Sequence, residues 1–287
     1  MNKYEAIITK IRDWAERENA IRAAIIIGSQ ARSDEPADEW SDLDVILIAR
    51  DPPEYIQSTA WIAEFGTPLV TFTEGTFDGS SERRVLYEGF LDVDFAIDDP
   101  DRISTSLQSH DVRAIFQRGY RVLADKDHWA ASLSEACSAP AAPASKSSLA
   151  DEVKNEIHDY WYHCVWTVKK LRRGELWMAM SCLNCYLRAR LLRMIERLAV
   201  LSGGEAVDTW HNGRFLERWA DRSVVERLQG SFTDYDRAAL TAALHHQMEL
   251  YHDVASQVAA RHGLSYPAEE VQAIRDWVQA TDGGGTQ

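Results

Sequence analysis

The first half of the chain alternates short apolar runs with polar breaks, and the second half settles into helical periodicity. Tyr4 to Asn19 places Ile7, Ile8, Ile11, Trp14 and Ala15 on one helical face. Ala23 to Ile27 is a continuous apolar run of strand length, and Leu43 to Ala49 is another, closed by Asp51-Pro52-Pro53. Between them, Gly28 to Ser33 is predicted to begin a helix or a turn. Tyr55 to Phe65 reads as a helix ended by Gly66-Thr67-Pro68, and Leu69 to Thr73 reads as a strand. Glu74 to Ser81 is a polar, glycine-containing loop. Arg83 to Tyr87 and Phe90 to Ile97 then form a hairpin around Glu88-Gly89. Asp111 to Arg118 reads as a helix and Tyr120 to Leu123 as a last short strand.

Ser138 to Ser148, SAPAAPASKSS, breaks the composition, because its Pro, Ala and Ser leave little to bury. It reads as a linker or an ordered loop between domains. Everything after it reads as helix: Leu149 to Arg173, Leu176 to Leu201, Phe215 to Leu228, Tyr235 to His262 and Ala268 to Ala280. Leu176 to Leu201 is apolar almost all round, which predicts the centre of a bundle. Gly203-Gly204 ends it, and the tail from residue 281 to 287 is expected to be disordered. The fold class is therefore α+β, a mixed sheet with helices followed by a helical bundle.

At 287 residues the chain is long enough for two domains with cores of their own. No apolar run approaches the ~20 residues of a membrane span, and the amphipathic N-terminus does not resemble a signal peptide. The Cys182/Cys185 pair has no second CxxC, so these read as helix cysteines, and a reducing cytoplasm suits them. The net charge of −14 argues against a nucleic-acid binder and suits a cationic partner.

The segment with the most chemistry is IIIGSQARSDEPADEWSDLDVIL, from Ile25 to Leu47. Gly28 lets the backbone approach a ligand closely, and Ser29 offers a hydroxyl. Free N–H groups at a helix start there would face phosphate. Asp42 and Asp44, two residues apart on a strand, share a face and can share a hard cation such as magnesium. A phosphate grip beside a metal grip is the equipment of nucleotidyl transfer. In FLDVDFAI, Asp92 and Asp94 also share a face, so either could supply a further acid.

The Gly-Ser, spacer, Asp-x-Asp order resembles the signature of the nucleotidyltransferase (polymerase-beta-like) superfamily. More narrowly, WIAEFGTPLV, RRVLYEGFLDVDFAI and WYHCVWTVKKLRRGE resemble the aminoglycoside 6-adenylyltransferases, over most of residues 20–260. The composition break divides the chain into residues 1–137, a linker over 138–148 and a helical domain over 149–280; the resemblance implies that the first is the nucleotidyltransferase domain and the last binds the acceptor. It implies metal and catalytic roles for Asp42, Asp44 and Asp94, with Asp92 as the rival third acid near the substrate. Asp94 is the expected base, and Asp159 is a second carboxylate that could take that role or contact the acceptor. Gly28, Ser29 and Arg32 are expected at the phosphates. Lys169, within Lys-x-Leu-x-Arg, and Arg214, where relatives carry lysine, are expected there too. The implied reaction is magnesium-dependent transfer of AMP from ATP to a hydroxyl of a streptomycin-like aminoglycoside. The rival readings are a lincosamide-like acceptor, a protein acceptor, and an inactive nucleotide-binding regulator.

Overall fold

The apolar runs of the first half pair into one sheet whose two faces are both covered by helices. The computed structural model describes residues 3–32, 36–75, 81–138, 146–204 and 207–283. Four sequence expectations extend onto residues outside that set: Ser33 at the end of the predicted turn, 76–80 in the polar loop, 139–145 in the linker, and 284–287 in the tail. The chain divides into two compact units, Met1–Pro143 and Ala144–Gln287.

In the first unit α1 (Glu5–Arg17) precedes β1 (Ile21–Ile27) and β2 (Leu43–Ala49). Next come α2 (Pro52–Gln57), β3 (Pro68–Gly75), β4 (Ser81–Tyr87) and β5 (Leu91–Asp98). The unit continues with α3 (Pro100–Ser106), α4 (His110–Gln117), β6 (Arg121–Asp125) and α5 (Trp129–Ser138). The sheet order is β3-β4-β5-β2-β1-β6, with β2 and β5 parallel and every other pair antiparallel.

Strand alternation sorts the core. Leu43, Val45 and Leu47 join Ile7, Ile8, Ile11 and Trp14 of α1 on one face. Ile46 and Ile48 face the other way, against Ile103, Phe116, Trp129 and Leu133 from the helices that follow β5. Asp44 has the parity of Ile46, so it belongs to this second face.

The predicted helix over Tyr55 to Phe65 is instead α2 followed by a 3-10 turn, Trp61–Glu64. Pro52 and Pro53 start the helix earlier, since proline suits the first helical turn. Trp61 then turns inward, its Nε1 donating to the carbonyls of Tyr55 and Ser58 at 3.0 and 3.1 Å. Its ring stacks on Trp14 and meets Phe95 edge-on, so packing overrides helical continuity. Sequence reasoning missed α3 and α5. The signal for α3 was Asp99-Pro100: Asp99 caps the helix by accepting from Arg102 N–H at 2.8 Å.

The second unit is helical: α6 (Lys146–Arg172), α7 (Leu176–Ser181), α8 (Arg188–Gly203), α9 (Leu216–Trp219), α10 (Arg222–Leu228), α11 (Arg237–Arg261) and α12 (Ala268–Gly283). A π-helical turn, Cys182–Leu187, joins α7 to α8. Helix α6 begins inside the stretch read as a linker, and α12 runs past the predicted start of the tail. Helix α11 buries one broad face, from Leu240 to Ala259, and shares the core of the bundle with α8. Its alanines let neighbouring helices approach closely. Helix α8 also carries Arg190, Arg193 and Arg197 along one face, spaced at helical period. The single helix expected over Phe215 to Leu228 is two, because Asp221 accepts from Ser223 N–H at 2.8 Å and caps a new start. Among the described residues, no helix is long and apolar enough to cross a membrane.

Candidate active site

The site begins where β1 ends. Ile27 pairs with Asp44 on β2, and Asp44 pairs with Asp94 on β5. The chain leaving β1 therefore turns directly beside an acid. The helix or turn expected there is a single 3-10 turn, Gly28–Gln30. Gly28 adopts φ +68°, and a Cβ there would lie 2.1 Å from Asp44 Oδ2. Only glycine fits this approach. The turn is closed by Ala31 and Arg32 N–H groups donating to the Gly28 carbonyl at 3.1 and 3.2 Å. Gln30 Nε2 donates to the Asp42 carbonyl at 3.1 Å, tying the turn to the acidic segment. Ser29 is buried, and its Oγ has no hydrogen-bond partner among the described residues.

Asp42 is exposed at the mouth of β2, one residue before the strand; Asp44 is partly buried and Asp94 is buried. One carboxylate oxygen from each lies within 4.8 Å of the others. Burial pushes the Asp44 carboxyl up to about 8, with the charges of Asp42 and Asp94 adding to the shift. Asp94 rises to about 7, again through burial, against the opposing charge of Arg84. Asp94 Oδ1 is buried without a hydrogen-bond partner among the described residues. Crowded acids, an orphaned carboxylate oxygen and an orphaned hydroxyl form a donor set of hard oxygens. These residues fit a divalent cation and a phosphate.

Asp92 is exposed on the same strand, outside this three-acid cluster. Its backbone N–H donates to Tyr4 Oη at 3.2 Å. Burial and the neighbouring Asp42 raise its carboxyl too. Sequence reasoning missed Arg84, which lies directly across the hairpin from Asp94 on β4. Its signal was the pairing register, which a hairpin turn of the correct length would have supplied.

The other sequence-predicted residues are spread through the chain. Arg32 follows the glycine turn and is partly buried. In the second unit, Lys169 and Arg214 are exposed, and Arg214 lies over the Phe215 ring at 5.1 Å. Beside Lys169, Lys170 leans on Trp166, at 5.0 Å from the ring, and pairs with Glu175. Asp159 lines a cavity of about 700 Å³ between α6 and α8, together with Glu152, Glu156 and Arg190. Its carboxylate accepts from Tyr186 Oη at 2.9 and 3.0 Å and from Arg190 Nε at 2.9 Å, and lies 2.8 Å from His163 Nδ1. Burial raises the Asp159 carboxyl, but the bonds from Arg190 and Tyr186 outweigh it and hold the group below its ordinary range.

A model of the streptomycin adenylyltransferase family matches residues 1–281. The chain is similar to the aminoglycoside 6-adenylyltransferase of Campylobacter jejuni, at 22% identity over 277 residues, covering 93% of this chain and 92% of that one. It is also similar to the aminoglycoside 6-adenylyltransferase of Bacillus subtilis (strain 168), at 22% identity over 234 residues, covering 77% and 78%. Among solved structures, an aminoglycoside 6-adenyltransferase from Bacillus subtilis aligns over 99% of this chain and 100% of that one, with TM-score 0.46 and 16% identity. A nucleotidyltransferase-like protein from Exiguobacterium sibiricum 255-15 aligns over 90% and 78%, with TM-score 0.37 and 12% identity. Because the family model spans nearly the whole chain, whose acids and glycine turn fit its chemistry, the chain belongs to the streptomycin adenylyltransferase family and is a nucleotidyltransferase.

Proposed function

We propose that the protein transfers AMP from ATP to a hydroxyl of a streptomycin-like aminoglycoside, with magnesium held by Asp42, Asp44 and Asp94. The observation that carries this reading is the three-acid cluster beside the Gly28 turn. Bound magnesium would neutralise triphosphate charge and stabilise the departing pyrophosphate. Ser29 offers its unpartnered hydroxyl to the phosphates, and Arg32 adds a cation from the same turn. Lys169 and Arg214 keep the phosphate role that the resemblance implies, and their exposed charges are available to a nucleotide.

Asp94 is the base. Without a cation, burial raises its carboxyl to about 7, and a bound cation would lower it again. Asp159 suits that task less, because its carboxylate is already engaged by Arg190, Tyr186 and His163. We assign Asp159 to the wall of an acceptor-binding helical domain, and Asp92 to the edge of the acceptor site. The two compact units meet at residues 143 and 144, within the stretch assigned to the linker. The cationic acceptor accords with two observations: the names of the relatives and the net charge of −14, which attracts polycations. We place the protein in the cytoplasm, which supplies ATP and keeps the four free cysteines reduced.

The test is mass spectrometry of products from ATP, magnesium and a panel of acceptors that includes streptomycin and an uncharged lincosamide analogue. The expected product is streptomycin carrying one adenylyl group. Adenylylation of the lincosamide alone, or of no small molecule, contradicts the acceptor assignment.

A further inference from the structure

Among the described residues, Arg84 is a cationic neighbour of the three-acid cluster, held by other acids. Residues Phe72 of β3, Arg84 of β4, Asp94 of β5 and Asp44 of β2 are consecutive register partners across four strands. Alternation puts Glu82 on the face of Arg84, and Glu74 lies opposite Glu82. The Arg84 guanidinium meets Glu82 Oε1 at 2.6 Å and Glu74 Oε2 at 3.2 Å. Its Nε, whose proton goes to Glu82 Oε1, lies 3.5 Å from Asp94 Oδ2, an ion-pair contact without a hydrogen bond. The two oxygens of Asp94 thus differ: Oδ2 faces Arg84, while Oδ1 is buried and has no partner among the described residues.

An unanchored carboxylate can rotate and offer either oxygen. Arg84 removes that freedom, because its planar fork is fixed by two acids from β3 and β4. We propose that Arg84 is a positioning residue for Asp94: held by Glu82 and Glu74, it fixes the carboxylate so that Oδ1 is presented to the cation shared with Asp42 and Asp44. Partners that orient a ligand in this way are worth about tenfold to a hundredfold in metal affinity or activity. The inference rests on the reading of the three acids as the metal site.

Positioning and simple charge balance make opposite predictions. If Arg84 only offsets negative charge, its removal leaves a more negative cluster that binds a cation more tightly. If it positions Asp94, its removal weakens binding. The experiment measures Mn2+ affinity of the full chain by electron paramagnetic resonance, without nucleotide or acceptor, in wild type, Arg84→Met, Arg84→Lys, Glu82→Gln and Asp94→Asn. Thermal melting accompanies each titration, and AMP transfer provides kcat and KM for ATP.

The expected result for Arg84→Met is binding weakened by about tenfold, kcat lowered with KM for ATP little changed, and an unaltered melting temperature. Arg84→Lys should recover part of both losses. Glu82→Gln should show a smaller loss in the same direction, because Glu74 still holds the guanidinium. Tighter or unchanged Mn2+ binding in Arg84→Met overturns the proposal. So does a rise in KM for ATP at constant kcat, which would place Arg84 on the nucleotide. A fall in melting temperature shared by Arg84→Met and Arg84→Lys, without recovery of binding in Arg84→Lys, would mark a structural role and also overturn it. Asp94→Asn separates the two levels. Unchanged binding in that variant removes the three-acid site itself, whereas lost binding there with normal binding in Arg84→Met removes the Arg84 inference alone.

Discussion

The chain holds two clusters built around aspartate, one in each compact unit, and they are electrostatic opposites. Around Asp44 the neighbours are other acids, and burial with their charges pushes the carboxyl up to about 8. Around Asp159 the neighbours are Arg190, Tyr186 and His163, and the carboxyl is held below its ordinary range. The second cluster is complete as it stands: donors meet the carboxylate oxygens, and the ion pairs tie α6 to α8. The first is incomplete, since burying like charges together is unfavourable until a cation joins them. Groups that a protein leaves unsatisfied in this way mark chemistry, whereas satisfied ones mark structure.

Substitution at the acids should separate the two clusters most strongly. Asp42→Asn or Asp44→Asn should lower AMP transfer by at least about a thousandfold, because the cation that would neutralise the reacting phosphates loses a ligand. The melting temperature should hold or rise, since removing one acid relieves repulsion among the others. Rate assays on variants verified as folded by circular dichroism decide this point.

Within the first cluster, Asp94→Asn should lower turnover by about a hundredfold or more, as expected for loss of a base. Asp92→Asn should lose much less, because its exposed carboxylate stands outside the three-acid group. Equal losses would widen the cluster to four acids, and the reverse order would move the third ligand to Asp92.

In the second cluster the balance should invert. Asp159→Asn should cost about 1–3 kcal/mol of stability by weakening hydrogen bonds to charged partners, with a far smaller change in transfer rate. Urea denaturation beside a rate assay checks both halves. A catalytic loss as large as that of Asp94→Asn, with stability intact, would move the base to Asp159.

The smallest expected effect is on stability against pH. The carboxyls of Asp44 and Asp94 sit above their unfolded values, so between pH 4 and about 8 the folded state holds more protons than the unfolded chain. Stability without metal should therefore fall as pH rises through that interval. Magnesium replaces those protons, so the rise in melting temperature it produces should be larger at pH 8 than at pH 6. An equal rise at both values would detach cation binding from these acids.

Much of this contrast is legible in the sequence, and the rest is hidden for definite reasons. The apolar runs ending at Ile27 and beginning at Leu43 bracket the site. Aspartate is a poor strand former, so Asp44 and Asp94 stand out inside strands. Arg84 was hidden by register. A two-residue turn at Glu88-Gly89 would set Arg84 opposite Val93, but the turn takes in Phe90 as well, at φ 57°, and sets it opposite Asp94. One residue of turn length moves a side chain to a different partner. The satisfied state of Asp159 was hidden because its partners Tyr186 and Arg190 come from beyond a helix break, where spacing carries no information about contact. The run from Leu176 to Leu201 does enter the core of the bundle, but one face of it is given to Arg190, Arg193 and Arg197, which apolar content alone does not reveal.

The central claim is that the unsatisfied cluster, and not the satisfied one, is where the reaction needs its cation. It is tested most directly by following AMP transfer from labelled ATP to streptomycin while magnesium is titrated into wild type, Asp44→Asn and Asp159→Asn. The account predicts that Asp159→Asn approaches the wild-type rate at saturating magnesium, whereas Asp44→Asn stays inactive at every concentration. An Asp44→Asn variant with the wild-type rate and the wild-type magnesium dependence, or an Asp159→Asn variant that is folded and equally inactive, would contradict it.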